Sequence, residues 1–366
     1  MQPRILSFTR AEWLRLAGLY ACVASLHIAG FGLFVYYAAG FPALSGLGLV
    51  AYLFGLRHAF DADHIAAVDD TVRYLLQQGR KPLGVGFFFS LGHATVVFAL
   101  AVALILASGT VAQQLPLLRG FGGLIGTGVS GVFLLVIGAL NVVVLLDILE
   151  VWRSERAAHG HTHIDELLRR RGLMNRLFGG RLQTMMKKSW HMYPLGVLFG
   201  LGFDTASEIG LLAMTATAAT ADIPAPALLC LPVLFAAGMT VMDTTDGVLM
   251  TKAYDWALVN PLRRVFYNIT TTGLSIAVAL FIGTIELLQV LRTLLDLQGP
   301  FFDFIGVLDL GMAGYLVVGL FVMIFGTSVA LWHFGRLRAE QGASARPHAH
   351  EHLHADGVRH THQHIH

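Results

Sequence analysis

Two cysteines in 366 residues are too few for a disulfide framework. Cys22 and Cys230 both fall inside apolar stretches, so there is no CxxC metal or redox motif either. Charge is just as scarce: Asp, Glu, Lys and Arg make up 13% of the chain, against 55% hydrophobic residues. A water-soluble protein carries about 25% charged residues, so that class is excluded. No GxxxxGK[ST] run is present, which rules out ATP hydrolysis through a P-loop. A net charge of +2 gives no ground for a nucleic-acid partner.

Long apolar runs dominate instead. A membrane-spanning helix needs about 20 mainly apolar residues. Eight such segments are present, over 14–38, 46–72, 83–108, 121–149, 193–219, 226–252, 265–294 and 310–335. The first is too long and too weakly flanked for a cleaved signal peptide. The expected fold class is all-α, a polytopic membrane protein of eight transmembrane helices in contact with lipid. Basic residues orient it. A cytoplasmic N-terminus leaves only Arg119 and Arg292 on the far side, so both termini are expected in the cytoplasm of a cell whose inner membrane holds the chain.

The expected organisation has four parts. Residues 1–149 carry helices one to four, and 150–192 form a basic cytoplasmic connection containing "HGHTH" at 159–163. Residues 193–337 carry helices five to eight. Residues 338–366 form a histidine-rich tail of low complexity, expected to be disordered, with "HAHEHLH" and "HTHQHIH". The stretch 350–354 formally satisfies the metalloprotease pattern H-E-x-x-H, but a low-complexity tail offers no rigid helix or cleft for that chemistry.

The polar residues inside the spans call for a function, because charge at membrane depth is costly. "RHAFDADHIAAVDD" at 57–70 packs one arginine, two histidines and four aspartates into the second span. On an ideal helix His58, Asp61 and His64 share a face at i, i+3 and i+6, while Asp63 falls on the opposite one. Imidazole and carboxylate together suit a divalent transition metal better than Mg²⁺ or Ca²⁺. The third span adds Ser90, His93 and Thr95 in "FSLGHATVV". The fifth adds Asp204 and Glu208 in "LGFDTASEI", and the sixth adds Asp243 and Asp246 in "GMTVMDTTDG". Each cluster alone could be an interhelical hydrogen-bond site with glycines easing close packing. Four together are better explained by one shared polar cavity. His27 in the first span is a fifth candidate, set against the plainer reading of a packing histidine.

These motifs resemble those of the NiCoT family of nickel/cobalt transporters. The family's H-x4-D-H signature stands here as His58, Asp63 and His64, and its other three motifs match "LGHATVV", "LGFDTASEI" and "GMTVMDTTDG" in order. The resemblance covers most of residues 14–335. It implies a permease, not an enzyme, whose transported substrate is Ni²⁺ or Co²⁺ and which needs no cofactor. By motif matching it implies a site drawn from His58, Asp63, His64, His93, Asp204, Thr205, Glu208, Asp243 and Asp246. A cytoplasmic metallochaperone is a candidate partner. The signature names Asp63 where helical geometry names Asp61, so a break or widened turn is expected near Ala59–Asp63, as in transporters with interrupted helices. "LFGLRHAFDADHI" at 53–65 also resembles "LFGLGFDTASEI" at 198–209, a candidate inverted repeat. Three rivals stand beside uptake. One is an efflux permease, since histidine-rich segments occur in metal-efflux relatives. Another is a membrane di-metal enzyme, which would need more histidines at one membrane face. The last is a metal-sensing receptor using the tail alone.

Overall fold

Local sequence sets the first helix in place. Thr9 and Glu12 form a capping box: Thr9 Oγ1 accepts from the Glu12 N–H at 3.2 Å, and Glu12 Oε2 accepts from the Thr9 N–H at 2.8 Å. The computed structural model describes residues 8–106, 110–157, 188–201, 206–219, 223–258, 261–308, 310, 313–323, 326–327, 348–353 and 359–364. The chain divides into two units, Met1–Val318 and Gly319–His366.

In chain order the helices are α1 (Arg10–Ala38), α2 (Ala43–His58), α3 (Ala62–Gln77), α4 (Val85–Leu106), α5 (Thr110–Ala157), α6 (Met192–Gly200) and α7 (Ala206–Ala219). They continue with the single turn α8 (Ala225–Leu228), then α9 (Cys230–Leu258), α10 (Pro261–Leu295), α11 (Pro300–Val307) and α12 (Ala313–Met323). Five helical segments among the described residues are long and apolar enough to cross a membrane. The second expected span corresponds to a pair, α2 and α3, which together are long and apolar enough to cross and are bent by 49° at the break. The span expected at 193–219 is described in two pieces, α6 and α7, and that expected at 310–335 in part, as α12. The chain is thus an all-α, multi-pass membrane protein in its helical part. Helix α5 runs on to Ala157, into the stretch expected as a connection; residues 158–187, with His159, His161 and His163, lie outside the described residues.

Helix α9 is the hub, packing against α1, α2, α3 and α4; α5 pairs with α10, and α4 with α6. Glycines permit the closest of these crossings. A Cβ on Gly86 of α4 would lie 1.8 Å from the carbonyl oxygen of Asp243 on α9, and one on Gly55 of α2 would lie 2.0 Å from that of Phe235. No side chain fits there, so backbone meets backbone. Leu44, Ala51, Leu231, Leu234, Phe235 and Met239 fill the core beside these crossings. Large apolar side chains such as Ile28, Val35, Leu106 and Phe281 stand outward, while Asp69, Asp70, Arg73, Glu208 and Asp243 are buried. Polar inside and apolar outside is the arrangement lipid demands.

Part of the tail expected to be disordered is paired. Residues His348–Leu353 (β1) and Arg359–His364 (β2) form an antiparallel two-stranded sheet. Its residues alternate between histidine and other types, which is the period of a strand.

Candidate metal centre

The second span breaks where the sequence leads one to expect it. Helix α2 ends at His58, residues 59–61 form a turn, and α3 begins at Ala62 with Asp61 in extended conformation as its N-cap residue. The turn is held from outside: a Cβ on Gly314 would lie 1.6 Å from the Phe60 carbonyl oxygen, and Tyr315 stacks on Phe60 with ring centroids 5.6 Å apart. Continuous helix would separate His58 from His64 by about 9 Å along its axis, six residues at 1.5 Å each. With the break their ring centroids are 4.5 Å apart.

His93 of α4 completes the group, its ring centroid 4.7 Å from that of His58 and 4.9 Å from that of His64. One ring nitrogen from each of His58, His64 and His93 lies within 4.8 Å of the others, and all three residues are buried. Carboxylates stand behind them. His58 Nδ1 is 2.9 Å from Asp61 Oδ2 and 3.3 Å from Ser207 Oγ. His64 Nδ1 is 3.2 Å from Asp243 Oδ2. A carboxylate only accepts, so Asp243 assigns the hydrogen to Nδ1 of His64 and leaves its Nε2 with a lone pair. His64 Nε2 has no hydrogen-bond partner. His93 Nε2 donates to Glu208 Oε1 at 2.6 Å and lies 3.1 Å from His58 Nε2. A cation in place of that one hydrogen would face two imidazoles and a carboxylate, with His64 Nε2 close by.

Such a set has the chemistry of a borderline divalent cation: neutral imidazoles, one anionic oxygen, and carboxylates that orient the rings. Phe89 and Phe235 pack on His64 and His58 and keep the surroundings apolar.

The other candidates from the sequence fall in different places. Asp63 accepts the His64 backbone N–H at 2.9 Å on Oδ1. Asp246 sits one turn beyond Asp243 on α9. Asp204 and Thr205 lie outside the described residues. His27 is not brought to the group: its Nδ1 donates to the Val23 carbonyl at 2.8 Å and its Nε2 is 3.2 Å from the Tyr52 hydroxyl. Ser90 and Thr95 are occupied by their own helix, donating to the carbonyls of Gly86 and Leu91.

The sequence pattern does not single out a second buried network farther along α3. Arg73 donates to Thr272 and Ser275, both at 2.7 Å, and to the Tyr254 hydroxyl, and lies 3.6 Å from Asp69. Tyr254 and Ser275 in turn donate to Asp69, and Asn141 donates to Asp70 at 2.7 Å. Sequence orientation counts Arg73 as a cytoplasmic charge, yet it is buried. The i, i+4 spacing of Asp69 and Arg73 is the signal that could have revealed the pair.

A family model described as a high-affinity nickel-transport protein, NicO, matches residues 44–331. The nickel transporter NicT of Mycobacterium tuberculosis is 49% identical over 344 residues, covering 90% of this chain and 92% of that one. The nickel transporter NixA of Staphylococcus aureus is 47% identical, covering 90% and 96%, and the cobalt transport protein NhlF of Rhodococcus rhodochrous is 45% identical, covering 79% and 84%. No solved structure matches the chain.

Proposed function

We propose, because the chain belongs to the NicO family of high-affinity nickel-transport proteins, that it is a transporter carrying Ni²⁺ or Co²⁺ into the cytoplasm through the site of His58, His64 and His93. Relatives named for nickel and for cobalt support the choice of substrate. The observation that carries the reading is the convergence of three imidazole nitrogens within 4.8 Å inside a membrane-embedded helical fold. Glu208 is the anionic ligand, Asp243 holds the tautomer that aims His64 Nε2 inward, and Asp61 lies beside His58 Nδ1 at 2.9 Å. The chain lies in the inner membrane with both termini in the cytoplasm.

A hydrated ion reaching this group exchanges water for imidazole and carboxylate, and protonation of those groups opposes binding and helps release. The site's own charge is set by Glu208 and the neighbouring aspartates, which offset the cost of bringing a divalent ion to membrane depth. An inside-negative potential favours inward movement by about 4.6 kcal/mol per 100 mV for two charges.

The test is radioactive Ni²⁺ and Co²⁺ accumulation in proteoliposomes, comparing the native chain with His64→Ala and His58→Ala at equal folded protein. Loss of about 10-fold or more in kcat/KM is expected for each variant, with unchanged elution as a monodisperse species. Normal transport by both variants would overturn the assignment of the site. Accumulation only in vesicles of inverted orientation would make the chain an exporter instead.

A further inference from the structure

Farther along α3 than the metal site lies a buried charged pair that the proposed transport chemistry does not use. At 1.5 Å per residue, Asp69 stands about 7.5 Å and Arg73 about 13.5 Å past His64, on the side that the proposed topology makes cytoplasmic. The two are joined in a closed ring. Arg73 donates to the Tyr254 hydroxyl of α9 and to Ser275 Oγ of α10, and both hydroxyls donate onward to Asp69, one to each carboxylate oxygen. A further bond from Arg73 reaches Thr272 of α10 at 2.7 Å, and its guanidinium carbon stands 4.3 Å from the centre of the Tyr254 ring. All five residues are buried. Beside them Asp70 accepts from Asn141 of α5. One short stretch of α3 is thereby tied to three other helices.

From this placement we infer that the ring of Asp69, Arg73, Tyr254 and Ser275 is a gate on the α3 side of the metal site, closed in this structure; the inference rests on the transport reading given above. A dication leaving the histidine group along α3 meets a guanidinium, which stays charged at any working pH, and an arginine in a narrow path is a barrier to cations. The carboxylate that would otherwise attract the ion has both oxygens occupied by hydroxyls. Parting α3 from α9 and α10 changes both conditions at once: it takes the guanidinium out of the path and frees Asp69 as an oxygen ligand. The ring stays closed by default, because separating a buried ion pair leaves two uncompensated charges. A plain staple would serve stability anywhere in the fold. This one stands between the site and one membrane face, and it joins the helix that carries His64 to the helix that carries Asp243.

Two thiols read the two sides of the site. Val68 is buried one turn past His64, and a Cβ on Gly247 of α9 would lie 3.6 Å from its Cγ1, so Val68→Cys reports on the stretch between site and ring. The native Cys230 is buried at the start of α9, on the opposite side of Asp243 from Tyr254, and reports on the other half. The full-length chain carrying Cys22→Ala and Val68→Cys is purified in detergent, where both faces meet solvent. Labelling of each thiol by a water-soluble maleimide is followed by peptide mass spectrometry. With the native ring both thiols are expected to react slowly. Arg73→Gln is expected to speed labelling of the thiol at position 68 by about 10-fold or more, the scale of losing hydrogen bonds made by a charged group, and to leave Cys230 unchanged. Tyr254→Phe removes one hydroxyl and keeps the aromatic ring; it is expected to act in the same direction, and it decides the matter if the Arg73 variant does not elute as a monodisperse species. Unchanged labelling at position 68 in the folded variants would overturn the inference. An equal rise at both thiols would overturn it too, because that is the mark of a packing staple lost. No reading here uses transport: normal uptake by the histidine variants counts against the site, and a missing contrast in labelling counts against the gate alone.

Discussion

The two nitrogens of His64 differ: Nδ1 faces an Asp243 carboxylate oxygen at 3.2 Å, and the buried Nε2 has no hydrogen-bond partner. The orienting carboxylate of a metal-binding histidine fixes its tautomer and raises its basicity, and removing it typically costs about 10–100-fold in metal affinity. Asp243→Asn keeps the shape but supplies an amide that can donate as well as accept. The half-saturating Ni²⁺ concentration for transport is therefore expected to rise about 10-fold or more, with Asp243→Glu recovering part of the loss. An unchanged half-saturation in the Asn variant would show that Asp243 does not position His64. At this scale much of the site is legible in the sequence. His58, His64, His93, Asp61, Glu208 and Asp243 stand out as polar residues in apolar runs, and the structure brings them together. Ser207 and Arg73 were not legible, because a serine inside a helix and a basic residue near a span end are ordinary features until their partners on other helices are known.

Helices deliver these side chains, and glycine sets how closely they come. Gly86 brings α4, the helix of His93, onto the backbone of Asp243, where an added methyl would lie 1.8 Å from a carbonyl oxygen. That contact cannot be relieved by a rotamer change, so Gly86→Val must push α4 from α9. Overpacking of this kind costs about 1–3 kcal/mol or more. A lower midpoint of thermal aggregation in detergent is expected, together with loss of transport. A Val variant as stable and active as the native chain would mean that the crossing is looser than described. Helix existence was readable from apolar run length, and the break near Ala59–Asp63 from the conflict between Asp61 and Asp63. The agent that holds the break was not, because Gly314 meets Phe60 across 254 residues of sequence and periodicity carries no such information.

Among the described residues many large apolar side chains face outward while Asp69, Asp70, Arg73, Glu208 and Asp243 are buried, so the orientation of the chain must be written in the loops. Lys81, in the turn after α3, and Gln298, in the turn after α10, are both exposed and fall on opposite sides of the proposed topology. With Cys22 and Cys230 replaced by alanine, Gln298→Cys is expected to react with a membrane-impermeant maleimide in intact cells. Lys81→Cys is expected to react only after permeabilisation. The reverse pattern would invert the topology and with it the direction of transport.

The break in the second span has a further consequence. Because His58 and His64 ride on separate arms of a bent rod, the gap between them is not a property of either helix but of the angle at which the arms are braced. The braces are Gly55 against Phe235 and Gly314 against Phe60, none of which offers a side-chain ligand to an ion. The gauge of the opening is thus a matter of joinery: a change at either joint would alter the spacing of the two imidazoles while leaving both histidines in place.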